Sequence, residues 1–200
     1  MSNFDEILNG EPVFDEPVKF NIDYPNINYR GLVLAFDQSL SSTGWVLLSG
    51  DQSGAWVWAT GVLKSREDLR GHEKTLKRAT ELNGEVCDLL IQKRPNDIVF
   101  ETPPVGSKMM RPESSLLAAN AILNAVRVQN LEYSRSIMTH MIARQKASKR
   151  WTGNGNAPKK EVRNSLMKFG YNPKNDGLPW NEHIADALSI GLFFMESNNG

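Results

Sequence analysis

The chain has 200 residues, 40% of them hydrophobic and 23% charged, and its 23 basic and 23 acidic side chains give a formal net charge of zero. That length suits one globular domain with a full core and leaves no room for a second of ordinary size. A single cysteine, Cys87, excludes an internal disulfide, and no signal-like or membrane-length apolar run occurs, so a reducing cytoplasm is the expected compartment.

The charge is unevenly spread. Residues 1–29 carry Asp5, Glu6, Glu11, Asp15, Glu16 and Asp23 against Lys19 alone. With Pro12, Pro17 and Pro25 and no helical or strand period, they read as an acidic arm outside the core, and residues 30–200 as the domain. Residues 141–170 reverse the sign: Arg144, Lys146, Lys149, Arg150, Lys159, Lys160, Arg163 and Lys168 face only Glu161. Such an excess is a footprint for a polyanion; a solvated face is the plainer alternative.

Past the arm, Gly31–Asp37 (GLVLAFD) is an unbroken apolar run ending in an acid, the pattern of a buried central strand that delivers Asp37 at its carboxyl end. A polar turn follows, then two aromatic and β-branched runs, Thr43–Ser49 and Ala55–Leu63; together the three predict an antiparallel meander. Arg66–Lys93 predicts a long amphipathic helix, with Gly71 or Gly84 as points of interruption. Asp97–Glu101 (DIVFE) predicts a short strand that again finishes in a carboxylate, and Thr102-Pro103-Pro104 forbids its continuation.

Helix is predicted again over Pro112–Gln129, small and apolar enough for core or for a dimer seam. A strand over Ser136–Met141, a basic connector, a helix over Pro158–Phe169 and a last helix over Glu182–Met195 complete the order. The expected class is α/β, a mixed central sheet of an antiparallel three-strand meander plus parallel strands, flanked by helices.

In such a sheet, ligands collect beyond the carboxyl ends of the central strands, so Asp37 and Glu101 share one crevice if their strands are parallel neighbours. In NEHIADALSIG, Asn181 suits a helix N-cap, and His183 and Asp186, three apart, share a face of the helix that follows. Singly, each acid has an ordinary explanation: Asp37 as a turn former, Glu101 leaving the sheet for solvent, Asp186 complementing a helix terminus. Jointly, three acids abutting buried apolar runs call for a paired cation or metal.

Carboxylate oxygens suit Mg²⁺ or Mn²⁺, and two such ions about 4 Å apart activate water and stabilise the leaving oxygen of a phosphodiester displacement. His183 either caps the helix at the surface or joins the site as a ligand or as a hydrogen-bond partner of phosphate or water. DQSLSSTG also suits a phosphate-gripping turn, though without the glycines such turns favour.

These segments resemble a known family. FDQSLSSTGWVLL is similar to the opening strand and hairpin of RuvC-type Holliday junction resolvases, with Asp37 in the acid position and Thr43-Gly44 in the turn; IVFETPP resembles the strand bearing their second acid, here Glu101. TGNGNAPKKEV is similar to their lysine-bearing approach to the penultimate helix, and HIADALSIG to their last helix, with Asp186 as the closing acid and His183 where many members have Asp and some His. The likeness spans about Gly31–Phe194.

It implies a ribonuclease H-like fold and a homodimer that nicks opposed strands of a four-way DNA junction with two Mg²⁺ ions per site, Mn²⁺ substituting. Asp37, Glu101, His183 and Asp186 are then the expected metal set, and Lys159 or Lys160 the cation that meets the building phosphate charge. Arg144, Lys146, Lys149 and Arg150, with Lys159 and Lys160, are the expected DNA contacts.

Two departures stand out. The prolines after Glu101 stand where the family has an aromatic wedge, leaving its part to Met109 and Met110, equally suited to core or interface, or to nothing comparable, and the acidic arm has no equivalent; both suggest a phage-encoded member. The rivals are a ribonuclease H-like nuclease acting on other branched, flapped or hybrid nucleic acids, a non-cutting junction binder, and an actin-like sugar kinase or ATPase, which needs two related domains.

Overall fold

The computed structural model describes residues 27, 29–51, 54–64, 72–103, 112–168 and 181–198, together with the backbone of Val18–Lys19. Six strands, β1 (Val18–Lys19), β2 (Val33–Asp37), β3 (Ser42–Asp51), β4 (Gly54–Lys64), β5 (Asp97–Glu101) and β6 (Met138–Ile142), form one sheet in the order β1-β4-β3-β2-β5-β6. β2, β3 and β4 make the expected antiparallel meander, and β5 runs parallel to both β2 and β6. The described helices are α1 (His72–Lys93), α2 (Pro112–Glu132), α3 (Arg144–Thr152), α4 (Lys159–Lys168) and α5 (Glu182–Ser197).

Alternation along the strands sorts the core into two layers. Leu34 and Phe36 of β2 pack with Leu82, Val86 and Leu90 of α1 and Ala118 and Ile122 of α2. Val33 and Ala35 face the other way, toward Ile184, Leu188 and Leu192 of α5. β5 repeats the division, with Ile98 and Phe100 toward the first layer and Val99 toward α5. All seven of these strand side chains are 0% exposed. Burial on both faces is why β2 and β5 read as unbroken apolar runs. The same two-residue period places Asp37 and Glu101 on the α5 side, at the carboxyl ends of adjacent parallel strands.

α5 begins where expected, with the Asn181 side chain accepting a hydrogen bond from the Ile184 N–H at 2.9 Å. It then lies very close to the sheet. A Cβ at Gly44, the pairing partner of Asp37, would stand 2.4 Å from the carbonyl carbon of His183, and one at Gly191 would stand 2.4 Å from Leu48 Cδ1. Glycine at both points lets the helix settle onto β2 and β3.

Three features differ from the sequence expectations. The basic stretch after β6 is a helix, α3, rather than a connector: Ala147 and Trp151 are buried four residues apart, the Trp151 indole donates to the Ser189 carbonyl at 3.1 Å, and Gly153 ends the helix at φ 78°. α1 runs unbroken through Gly84, which faces open space; Arg66 and Gly71 lie outside the described residues. Parts of the arm region join the fold, since Val18 and Lys19 pair with Val57 and Trp56, and Ile27 is core. Tyr29 is described as well; the rest of the arm, Met109, Met110 and Phe169 lie outside the described residues.

At the opposite end of β5, Asp97 also lies on the α5 side. Its Oδ1 meets His140 Nε2 at 2.7 Å, its Oδ2 accepts from the Tyr29 hydroxyl, and the His140 ring stacks on Phe194 at 4.5 Å. Burial first, and then the bond to Asp97, push the Tyr29 phenol far above its ordinary value. Among the described residues no helix is long and apolar enough to cross a membrane.

Candidate active site

Asp37 ends β2, Glu101 ends β5, and Asp186 stands in the second turn of α5. Glu101 and Asp186 line one cavity with Arg144, Ser148 and Ser189, and the Asp37 charge acts on both acids. His183 and Lys159 complete the group. His183 Nδ1 lies 2.8 Å from Asp37 Oδ2, and Lys159, the first residue of α4, forms an ion pair with Asp186 Oδ2. Lys160, its neighbour, is exposed, so the structure separates the two lysines that the sequence left as alternatives.

Protonation follows from these contacts. Glu101 is pushed up to about 7, by burial first and then by the Asp37 charge, against the opposing pull of Arg144 and Lys159. Burial also raises Asp186, although Lys159 opposes it. The hydrogen bond to Asp37 outweighs burial and raises His183. For Lys159, burial alone would lower the ammonium, but the charges of Asp37 and Asp186 together outweigh it and keep the group protonated.

Burial is thus the first cause of both raised carboxyls, and the Asp37 charge adds to it against the pull of Arg144 and Lys159. In charge and donor type the set fits a hard divalent cation. A closed ligand cage is not preformed, because among the described residues no three His, Cys, Asp or Glu side chains are grouped closely enough to hold one ion. His183 and Lys159 stand against Asp37 and Asp186 instead.

The remaining basic residues divide. Arg144 lines the cavity, Lys146 and Lys149 are exposed on α3, and Arg150 is engaged by Glu196 through contacts of 2.9 and 2.7 Å. The turn after Asp37 is closed by Thr43, whose fully buried hydroxyl accepts from the Ser39 N–H at 3.1 Å and donates to the Ser39 carbonyl at 2.6 Å. That hydroxyl serves the turn rather than a phosphate. Two residues that the sequence reading passed over also shape the crevice: Gln38, a buried amide between the strand ends, and Arg78, which is 1% exposed and binds the same turn from α1. The visible signal for Gln38 was an amide placed directly after the strand-ending acid.

No protein-family model and no curated protein sequence matches the chain. Solved structures do. Thermus thermophilus RuvC matches with a TM-score of 0.59 over 84% of this chain and 97% of its own, at 20% identity. The fold is ribonuclease H-like, as in these resolvases. RuvC of the same organism in complex with a Holliday junction substrate matches at 0.56, over 82% and 92% of the two chains, with 21% identity. The yeast mitochondrial Holliday junction resolvase Ydc2 matches at 0.58, over 89% and 84%, with 14% identity. At such identities the likeness is one of fold. In this ribonuclease H-like frame the three acids occupy the carboxyl edge of the parallel strands, and the described residues form a single sheet, unlike the paired domains of an actin-like kinase.

Proposed function

We propose that this chain is a divalent-metal-dependent, structure-selective endodeoxyribonuclease that nicks opposed strands of four-way (Holliday) DNA junctions as a homodimer. The carrying observation is the convergence of Asp37, Glu101 and Asp186 in one half-buried crevice, on a fold like that of RuvC solved with a Holliday junction substrate. Asp37, Glu101 and Asp186, flanked by His183, are the residues to hold two Mg²⁺ ions, with Mn²⁺ as substitute. Bound there, the ions supply Lewis-acid stabilisation of the charge that builds on the scissile phosphate.

The chain's own groups do the rest. Lys159 keeps its proton and offers Nζ to a phosphate oxygen as charge accumulates in the transition state. Arg144 lines the same cavity and meets the neighbouring phosphate. His183 holds a proton at Nδ1 against Asp37 Oδ2 and fixes that carboxylate's orientation. The exposed Lys146, Lys149 and Lys160 grip backbone phosphates, giving affinity without sequence information; Arg150, already engaged by Glu196, contributes less. A two-fold dimer sets two such crevices on like strands of a two-fold junction.

The test is a substrate panel. The protein and Mg²⁺ are incubated with a synthetic four-way junction, a flap and an RNA:DNA hybrid, beside Asp37→Asn and Asp186→Asn. The expected result is paired, symmetric nicks in the junction alone, lost in both variants while junction binding persists. Cleavage that survives Asp37→Asn overturns the site. Cleavage of flap or hybrid in place of the junction moves the substrate to that wider class, and binding without cleavage makes the chain a junction binder.

A further inference from the structure

We infer that Gln38 is a positioning residue, whose side-chain amide extends the β2–β5 ladder by one pair and holds Asp37 and Glu101 in fixed register. This rests on the reading of those two acids as ion-binding groups. The parallel ladder runs from Val33↔Asp97 to Phe36↔Phe100 and stops one pair short of the acids. Beyond that point β2 turns away through Ser39, and Glu101 has no register partner on β2. Gln38 fills the gap. The Glu101 N–H donates to Gln38 Oε1 at 3.1 Å, and Gln38 Nε2 donates to the Glu101 carbonyl at 2.5 Å.

A side-chain amide presents the donor and acceptor of a peptide unit, so strand pairing continues across it. Gln38 is only 7% exposed, which shields both bonds from competing water. The clamp is itself anchored on either side. Arg78 Nε donates to the Leu40 carbonyl at 2.9 Å while its guanidinium is held by Glu85, also at 2.9 Å, and this fixes the turn that carries Gln38. On the other flank Glu101 pairs with Ile142 of β6, and the Thr102 N–H donates to the Ile142 carbonyl at 2.9 Å.

The arrangement answers a physical problem. Like charges on Asp37 and Glu101 push two strand ends apart where the ladder has run out, and the amide opposes that splaying. Because both ends of the Gln38 amide are committed to backbone, it acts on geometry rather than by touching ion or DNA.

Gln38→Met keeps the length and apolar stem but removes both bonds. Four quantities are read: kcat for junction nicking, junction Kd without divalent metal, Mn²⁺ affinity of the DNA-free protein by calorimetry, and hydrogen exchange of the Glu101 amide by NMR. We expect kcat to fall about 10–100-fold and Mn²⁺ affinity about tenfold, the scale for partners that orient metal ligands. Junction Kd stays unchanged and Glu101 exchange accelerates.

Unchanged kcat and Mn²⁺ affinity in a folded Gln38→Met protein overturn the inference. So does a loss lying wholly in Kd, which would mean direct contact with DNA. If Gln38→Met does not fold, Gln38→Asn, whose amide falls one methylene short of Glu101, is read the same way. A wild-type protein that nicks no junction removes the proposed function alone; Mn²⁺ affinity and Glu101 exchange then decide the clamp.

Discussion

β5 carries an acid at each end, both on the α5 side of the sheet, and the two ends are managed in opposite ways. At its start, Asp97 has each oxygen matched, one by His140 and one by Tyr29. At its end, Glu101 shares a crevice with Asp37 and Asp186, and burial first, then the Asp37 charge, raise it against the pull of Arg144 and Lys159. The two acids are similarly buried on one strand, so burial does not separate Asp97 from the acid proposed to bind an ion; the partners of each do.

The largest predicted effect breaks that comparison by activity. Glu101→Gln is expected to lower junction nicking by more than about 100-fold, beyond what loss of a metal ligand's orienting partner costs. Asp97→Asn leaves the nicking rate of the folded protein unchanged, and single-turnover assays check both. Loss of nicking in a stable Asp97→Asn protein would erase the distinction between the ends.

Packing comes next. Gly44→Val drives a side chain into the first turn of α5, where even a Cβ lies 2.4 Å from His183. The expected cost is about 1–3 kcal/mol in urea denaturation, with reduced nicking because His183 is moved off Asp37. At the far end Tyr29→Phe removes a bond to a carboxylate and is expected to cost about 2 kcal/mol with activity intact.

A pH scan sharpens the contrast further. Below 4.5, its ordinary value, Glu101 is protonated in folded and unfolded chains alike and contributes nothing. As the pH rises toward about 7 the unfolded chain releases that proton first, so folding is progressively disfavoured, fully so above about 7. Asp186 acts with the same sign. His183, raised above 6.5, stabilises the fold below that pH and loses its contribution as pH climbs through the higher folded value. All three therefore lower the melting temperature as the pH rises in EDTA, Glu101 between 4.5 and about 7, by several degrees in sum, and Mg²⁺ at the upper end restores it. Equal pH profiles with and without Mg²⁺ would count against an ion at these acids.

The smallest effect concerns the basic face. Lys149→Ala should flatten the dependence of log junction affinity on log salt by about one unit, and Arg150→Ala by less, because Glu196 already holds Arg150.

Much of this geometry was legible in the residues. Asp37, Glu101, His183 and Asp186 each end or open an apolar run, so local pattern alone aimed them at one crevice, and Asn181 marked the start of α5. Other features depend on partners far along the chain. Gln38 is defined by a strand 63 residues away, which no local spacing reveals. Arg78 was passed over because its carbonyl partner, Leu40, is 38 residues distant. α3 was hidden by its own charge, since only Ala147, Ser148 and Trp151 are buried. A two-residue strand such as β1 has no period to detect.

The bond between His183 and Asp37 spans 146 residues. Strands β2, β3 and β4 can pair soon after synthesis, but contacts of such separation form late because their loop closure is costly. A nascent chain that has not reached Asp186 therefore bears two of the three acids and lacks the proposed site. The same order runs in reverse under stress: if α5 peels away first, the proposed site is lost while the sheet is still folded.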